Sequence, residues 1–586
     1  MSDDNDDTPT EQSIRKRLLE AHRSGSLMEA VEETCRTAAI AEEGIAGELA
    51  ALHNNGTIDI VEAFSELRKS EAGFIFFGVR AVFEHALPEI EHDVLPVIRC
   101  VRHLVHEAGD DLAAGTTISH FIMFLQQIPI RPKQALSSIK AEPELHDLLP
   151  ATLIAGYKLD MPEYLKEALQ LTKAEHADMR RQAVFALSRI EWSDENKPSE
   201  AVYAALEEIL SADTSDEMLA TTARTAASLI KYDPSQVDRL IDLLDSAVEK
   251  GGDQSIHASA SLLAQVDKHM PEALIEKLLT HINRVNPEHK GTIDQIDYAM
   301  HRLIMLGKID VAIYTLEVLI AEKVMEPDAF DSVLHDIQRD ATLLNKAATR
   351  WLLNGNASLC RTAAFLVGGG HGANVAAEVD PSEIEMTDAR GVVFLARKVC
   401  GYFFTDPVSA ASMLLSLLQL AQDNQTRAQI GKLILNPLLI NYPGKARTYF
   451  NERRESCTAE AQEVLRQIDV ALDEYFQALR SIGDIPELYP SQAQRESYQR
   501  HHSREMDRSF KEAEKKSVFL GLVTKQTLLY GRTSVTYVRD GQGTSHRQEI
   551  PLQEHSMEFE FPRMVQLDPL GLEYQLAVFR AERWQE

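Results

Sequence analysis

Residues 234–248 read PSQVDRLIDLLDSAV, a proline followed by an amphipathic run with acids set among the leucines. Near-copies open at Pro162 (PEYLKEALQL), Pro198 (PSEAVYAALEEIL) and Pro271 (PEALIEKLLTHI), so the four prolines stand 36, 36 and 37 residues apart. Proline suits the first turn of a helix, where its missing N–H has no partner to lose. Three and seven positions after each proline come Leu165 and Leu169, Ala201 and Ala205, Val237 and Ile241, Leu274 and Leu278. That i, i+4 pairing predicts one buried helical face per phrase.

Ahead of each later phrase runs an alanine-rich stretch: MRRQAVFALSRI (179–190), LATTARTAASLI (219–230) and IHASASLLAQV (256–266). Small residues let helices approach closely, so each stretch predicts the inner partner of an antiparallel pair. One such pair cannot bury its apolar face alone, whereas stacked copies share a core. In period and pattern the chain resembles the HEAT, armadillo and tetratricopeptide class of helical repeats over roughly residues 60–480. The resemblance implies architecture only: a mostly α chain forming an α-solenoid of antiparallel helix pairs.

The expected organisation is an acidic disordered tail at 1–12, a helical region with degenerate repeats at 13–160, regular repeats at 161–325 and degenerate repeats at 326–490. A polar helix and a small α+β module follow at 491–586. In that last part, SVTYVRDGQGTSHRQEI predicts a hairpin about Asp540-Gly541, and MEFEFP puts Met557, Phe559 and Phe561 on one strand face. Asp568-Pro569 predicts the start of a final helix.

Composition narrows the function classes. Lys and Arg number 60 against 90 Asp and Glu, a net charge of −30, which repels nucleic acid and anionic membrane and favours basic partners. Residues 490–586 carry 14 of each sign, so the excess acid lies upstream. Cys35, Cys100, Cys360, Cys400 and Cys457 are widely spaced, which argues for buried free thiols rather than a zinc or disulfide framework. No signal-peptide pattern opens the chain, and its most apolar stretches are too short to span a bilayer. The expected location is cytoplasmic.

Three stretches could carry chemistry. In EHALPEIEHDVLPVIRCVRHLVHEAG (84–109), Glu89 and His92, like His103 and His106, are three apart and can share a helix face toward one metal. The candidate ligands are His85, His92, Asp93, His103 and His106. The His92-Asp93 doublet resembles that of helical metal-dependent phosphohydrolases, although Glu107 stands where a second aspartate is expected. In FLVGGGHGANVAAEV (365–379), Gly368, Gly370 and Ala373 fit a GxGxxA phosphate fingerprint, but a helix-like segment precedes them instead of the strand that fingerprint needs. Between Arg495 and Arg547 there are 11 basic and 6 acidic residues with interleaved aromatics. Arg495, Arg500, Arg504, Arg508, Lys511, Lys515 and Lys516 are the candidate contacts to phosphate or to a partner.

No nucleophile motif, Walker lysine or HExxH is present, and no cofactor is expected. The expected function is a non-enzymatic scaffold that binds a protein bearing a basic or helical segment. The alternatives are a nucleic-acid-associated component and a metal-dependent phosphohydrolase.

Overall fold

The computed structural model describes the chain except residues 1–10, 38–41, 73–75, 110–113, 194–195, 213–214, 324, 369–375, 386–387, 484–490, 517–532, 540–544, 552–559 and 584–586. The described residues are mostly α-helical and divide into two compact units, Met1–Asp336 and Ile337–Glu586.

In the first unit the four phrases are the helices Met161–Leu171, Glu200–Ser211, Val237–Lys250 and Glu272–Ile282. The prolines do not share one place. Pro162 sits in the first turn and Pro234 opens a short 3-10 turn, while Pro198 precedes the N-cap Ser199 and Pro271 is itself the N-cap. Each position spares the chain an N–H that has no helical acceptor. The buried face is also broader than an i, i+4 pair. Ala205, Ile241, Leu274 and Leu278 are buried, but Leu165, Leu169 and Val237 are half-buried and Ala201 is exposed. Tyr164, Ala168 and Leu171 bury the first phrase, and Val202, Tyr203 and Leu206 carry most of the second.

The alanine-rich stretches form the helices Ala177–Arg189, Asp216–Ile230 and Asp253–Leu263. Asp216–Ile230 and Asp253–Leu263 each pack on the phrase helix that follows, whereas Ala177–Arg189 packs on the preceding Met161–Leu171; successive alanine-rich helices also pack on one another, and Lys290–Met305 and Ile309–Glu322 continue the pattern. Thr221, Thr222, Thr225 and Ser259 are buried there because their hydroxyls donate to carbonyls one turn back. Thr225 also donates to the Val184 carbonyl on the neighbouring helix.

Cross-links recur at the sequence period. The Asp216 carboxylate accepts from the N–H groups of Gly252, Gln254 and Ser255 (2.7, 2.8 and 3.2 Å), capping the next alanine-rich helix. Asp297 does the same for Ser332 and Val333 at 3.0 and 2.9 Å. Arg284 donates to the Val248 carbonyl and Arg302 to that of Val266, each 36 residues back. On the phrase helices, ion pairs join Lys173 to Glu208, Arg239 to Glu200 and Glu207, Lys277 to Asp245, and Lys308 to Glu272.

In the second unit, Trp351 of the Ala341–Asn354 helix is fully buried in a core shared with Ala357–Val367 and Ala389–Tyr402. The final helix, Pro569–Ala581, packs on Ala389–Tyr402 with Leu572 and Leu576 buried. Asp568 caps it by accepting from the Gly571 N–H. At its other end the fully buried Lys398 donates its Nζ to the Arg580 carbonyl at 2.7 Å, and Arg580 Nε donates to the Gly401 carbonyl at 2.7 Å. A Cβ on Gly401 would lie 3.2 Å from the Arg580 nitrogen, which explains the glycine. The Glu560 carboxylate accepts from the Gly444 and Lys445 N–H groups at 2.7 Å each.

Strands Thr533–Arg539 and Ser545–Pro551 pair antiparallel, as the hairpin pattern predicts. The turn residues Asp540 and Gly541, and Met557 and Phe559, lie outside the described residues. Cys100, Cys360, Cys400 and Cys457 are buried free thiols, and burial pushes Cys100, Cys360 and Cys400 up to about 12. Among the described residues, no helix is long and apolar enough to cross a membrane.

Candidate functional site

The five candidate metal ligands of residues 85–106 go to different neighbours. His85 lies edge-on to His120, with ring centroids 5.2 Å apart. His103 Nε2 bonds the Leu67 carbonyl at 2.7 Å, and His106 Nε2 meets Asp147 Oδ2 at 3.2 Å. Glu107 accepts from the Lys69 N–H. Asp93 is exposed at the N-cap of the Val94–Ala108 helix and makes no side-chain capping bond.

His92 joins a group that the spacing did not suggest. His53, His92 and Asp59 hold three potential ligand atoms within 4.8 Å of one another. His53 lies near the end of the Glu42–Asn54 helix, Asp59 is the N-cap of Ile60–Ser65, and His92 precedes Val94–Ala108. His53 Nδ1 stands 3.8 Å from Asp59 Oδ1, and His92 Nε2 stands 3.6 Å from Asp59 Oδ2. The imidazole rings are 5.2 Å apart and tilted by 31°.

Each member is held from behind. Asp59 Oδ1 accepts from the Val61 and Glu62 N–H groups at 3.0 and 3.2 Å. His92 Nδ1 lies 3.0 Å from the Asp93 carbonyl, so it carries the ring proton and leaves Nε2 with its lone pair. His53 Nδ1 accepts a long 3.3 Å bond from the Ile60 N–H, which puts that ring's proton on Nε2. Burial is the main cause holding the His53 pKa below its ordinary value; the His92 ring adds to it, against Asp59 and the Ile58 and Glu91 backbone. Neutral imidazole is the form in which histidine can donate a lone pair.

The basic C-terminal candidates fall on the Gln492–Lys516 helix. Arg495, Arg500, Arg504, Arg508 and Lys511 are exposed, and Arg508 pairs with Glu505 at 3.1 Å. The side chains of Lys515 and Lys516 lie outside the described residues, as do Gly370 and Ala373 of the glycine-rich run. Gly368 is exposed at the C-cap of the Ala357–Val367 helix, so a helix does precede that run.

A third feature was not anticipated. On the final helix Leu570, Tyr574 and Val578 are 84%, 73% and 47% exposed, and Phe561 and Leu567 ahead of it are 71% and 57% exposed. The positions 570, 574 and 578 recur every fourth residue and form one row, facing away from the buried Leu572 and Leu576. Only the helical period of LGLEYQLAVF signals them, and that period cannot tell a covered face from a bare one.

Compared with known proteins, the sequence matches no protein-family model and no curated protein.

Proposed function

We propose that the chain is a non-enzymatic scaffold, an α-solenoid of antiparallel helix pairs with a small C-terminal α+β module, that binds another protein. The observation that carries this reading is the bare row Leu570, Tyr574 and Val578. Large side chains in a contiguous exposed row mark interaction surfaces, because water pays no return for ordering them. A row at helical spacing suits the apolar stripe of a partner helix. The net charge of −30 favours a partner whose polar face is basic and repels an acidic one.

The test compares proteins retained by the native chain with those retained by Leu570→Glu/Tyr574→Glu. Both side chains are exposed, so the double variant keeps the fold. A basic partner held by the native chain and lost by the variant supports the proposal; equal retention removes this surface. A native dimer that becomes monomeric in the variant would instead identify a second copy as the occupant.

The exposed basic row on Gln492–Lys516 favours a second reading, contact with nucleic-acid phosphates. It predicts binding to a single-stranded oligonucleotide that weakens steeply with salt. Arg500→Gln/Arg504→Gln/Arg508→Gln should abolish that binding, and unchanged affinity in this variant dismisses the reading.

A further inference from the structure

We propose that His53 Nδ1, His92 Nε2 and the Asp59 carboxylate form a binding site for one zinc ion. The distances are informative because they are too long for something simpler. At 3.8 and 3.6 Å, neither imidazole hydrogen-bonds the carboxylate, since such bonds lie near 2.7–3.2 Å. Three groups that could satisfy one another in pairs instead hold their ligand atoms within 4.8 Å of one another without bonding. Zinc takes imidazole nitrogen and carboxylate oxygen at about 2.0–2.2 Å in a tetrahedral array, which separates ligand atoms by roughly 3.4 Å. The two His–Asp distances exceed that by only a few tenths of an ångström. The remaining closure falls to His92, which is half-buried and can turn, while His53 is buried and fixed.

The outer contact of His92 has the form that metal-binding histidines use. A ligating imidazole usually gives its other N–H to a carbonyl or carboxylate, which sets the tautomer and aims the lone pair. His92 does so through Nδ1 to the Asp93 carbonyl. His53 keeps its proton on Nε2, and its Nδ1 lone pair is occupied only by the long bond from Ile60. Asp59 Oδ1 is anchored by the helix N–H groups, and Oδ2 accepts no hydrogen bond from a described residue. The bound ion would tie the end of one helix, the cap of the next and the lead-in to a third. Asp59 is exposed, so water can complete the coordination. Two imidazoles with one carboxylate select zinc or a similar late first-row ion over magnesium or calcium, which prefer all-oxygen shells. The set shares only His92 with the His-Asp doublet.

Zinc is titrated into chelator-stripped full-length protein against a chromophoric competitor, and cobalt is then substituted to read coordination from visible absorption. The expected result is one equivalent bound far more tightly than the rest, with a cobalt spectrum of low coordination number. His92→Gln and Asp59→Asn should each weaken that equivalent at least a hundredfold. Asparagine keeps the oxygen that caps the helix, so Asp59→Asn stays folded even if His92→Gln does not. His106→Gln, at an exposed histidine of the same region, should bind as the native chain does. Binding by the native chain no tighter than by Asp59→Asn, or lost equally in His106→Gln, would overturn the site and leave only scattered surface histidines.

Discussion

Asp216 illustrates how one side chain can hold a junction between repeats. Its two oxygens receive three backbone N–H groups and the Ser255 hydroxyl from the first turn of the next alanine-rich helix. Burial pushes its pKa up, but these hydrogen bonds outweigh burial and hold the carboxyl below its ordinary range. Asp216→Ala removes a cap and strands the N–H and hydroxyl of the buried Ser255, which should cost about 2–3 kcal/mol in urea unfolding. A buried and a half-buried histidine give the same unit a pH response. His146 is pulled below its ordinary value mainly by burial and then by His176, against Asp178 and Asp147; His257 is lowered by burial and by Arg224. Lowered values mean that the unfolded chain takes up protons first. Stability of the first unit is therefore complete above about pH 6.5 and declines as pH falls from there. Melting temperatures recorded from pH 7.5 to 5.5 should drop, and His257→Gln should flatten part of the drop.

At the scale of elements, the helices were legible because their apolar residues recur with the helical period, and alanine content marked two helices, Asp216–Ile230 and Asp253–Leu263, that pack on the phrases after them. The proline phrases, the 491–516 helix, the hairpin and the start of the last helix all lie where these patterns put them. The cluster of His53, Asp59 and His92 was not legible. Its members sit at helix ends, His53 and Asp59 close in sequence and His92 about one repeat further on, and periodicity gives the pitch of a repeat without the direction in which an end residue points. The bare row of the final helix was hidden for a related reason, since an amphipathic pattern does not record which apolar face is covered. That helix is held at its C-terminal end by Lys398, whose pKa burial lowers, partly offset by Cys360 and Glu582. Lys398→Met keeps the volume but leaves the Arg580 carbonyl without its buried donor, at a cost of about 1–3 kcal/mol. Hydrogen exchange should accelerate in Pro569–Ala581 more than in Ala341–Asn354.

At the scale of the molecule, the chain divides at Asp336 and Ile337 into two units, each with its own buried core. Chains built this way need not unfold in one step. Denaturation followed by circular dichroism should resolve two transitions, with Asp216→Ala lowering one and Lys398→Met the other. Zinc should raise only the transition that Asp216→Ala lowers, because ligand binding stabilises the fold that contains its site. A single transition moved alike by both substitutions would show that the units share one cooperative fold.

The ion pairs along the phrase helices have a genetic consequence. Lys173 looks forward to Glu208, whereas Arg239, Lys277 and Lys308 all look back to acids on the preceding helix. The Glu200–Ser211 helix thus presents acids to both sides, and the polarity of pairing reverses there. An unequal crossover that excised this repeat in phase would keep the spacing of the proline phrases yet join two cation-bearing neighbours across the scar. Each mismatched exposed pair costs only a fraction of a kcal/mol, but the penalty is directional. Gain or loss of repeats is therefore better tolerated downstream of residue 239, where donor and recipient carry the same polarity, than across the reversal itself.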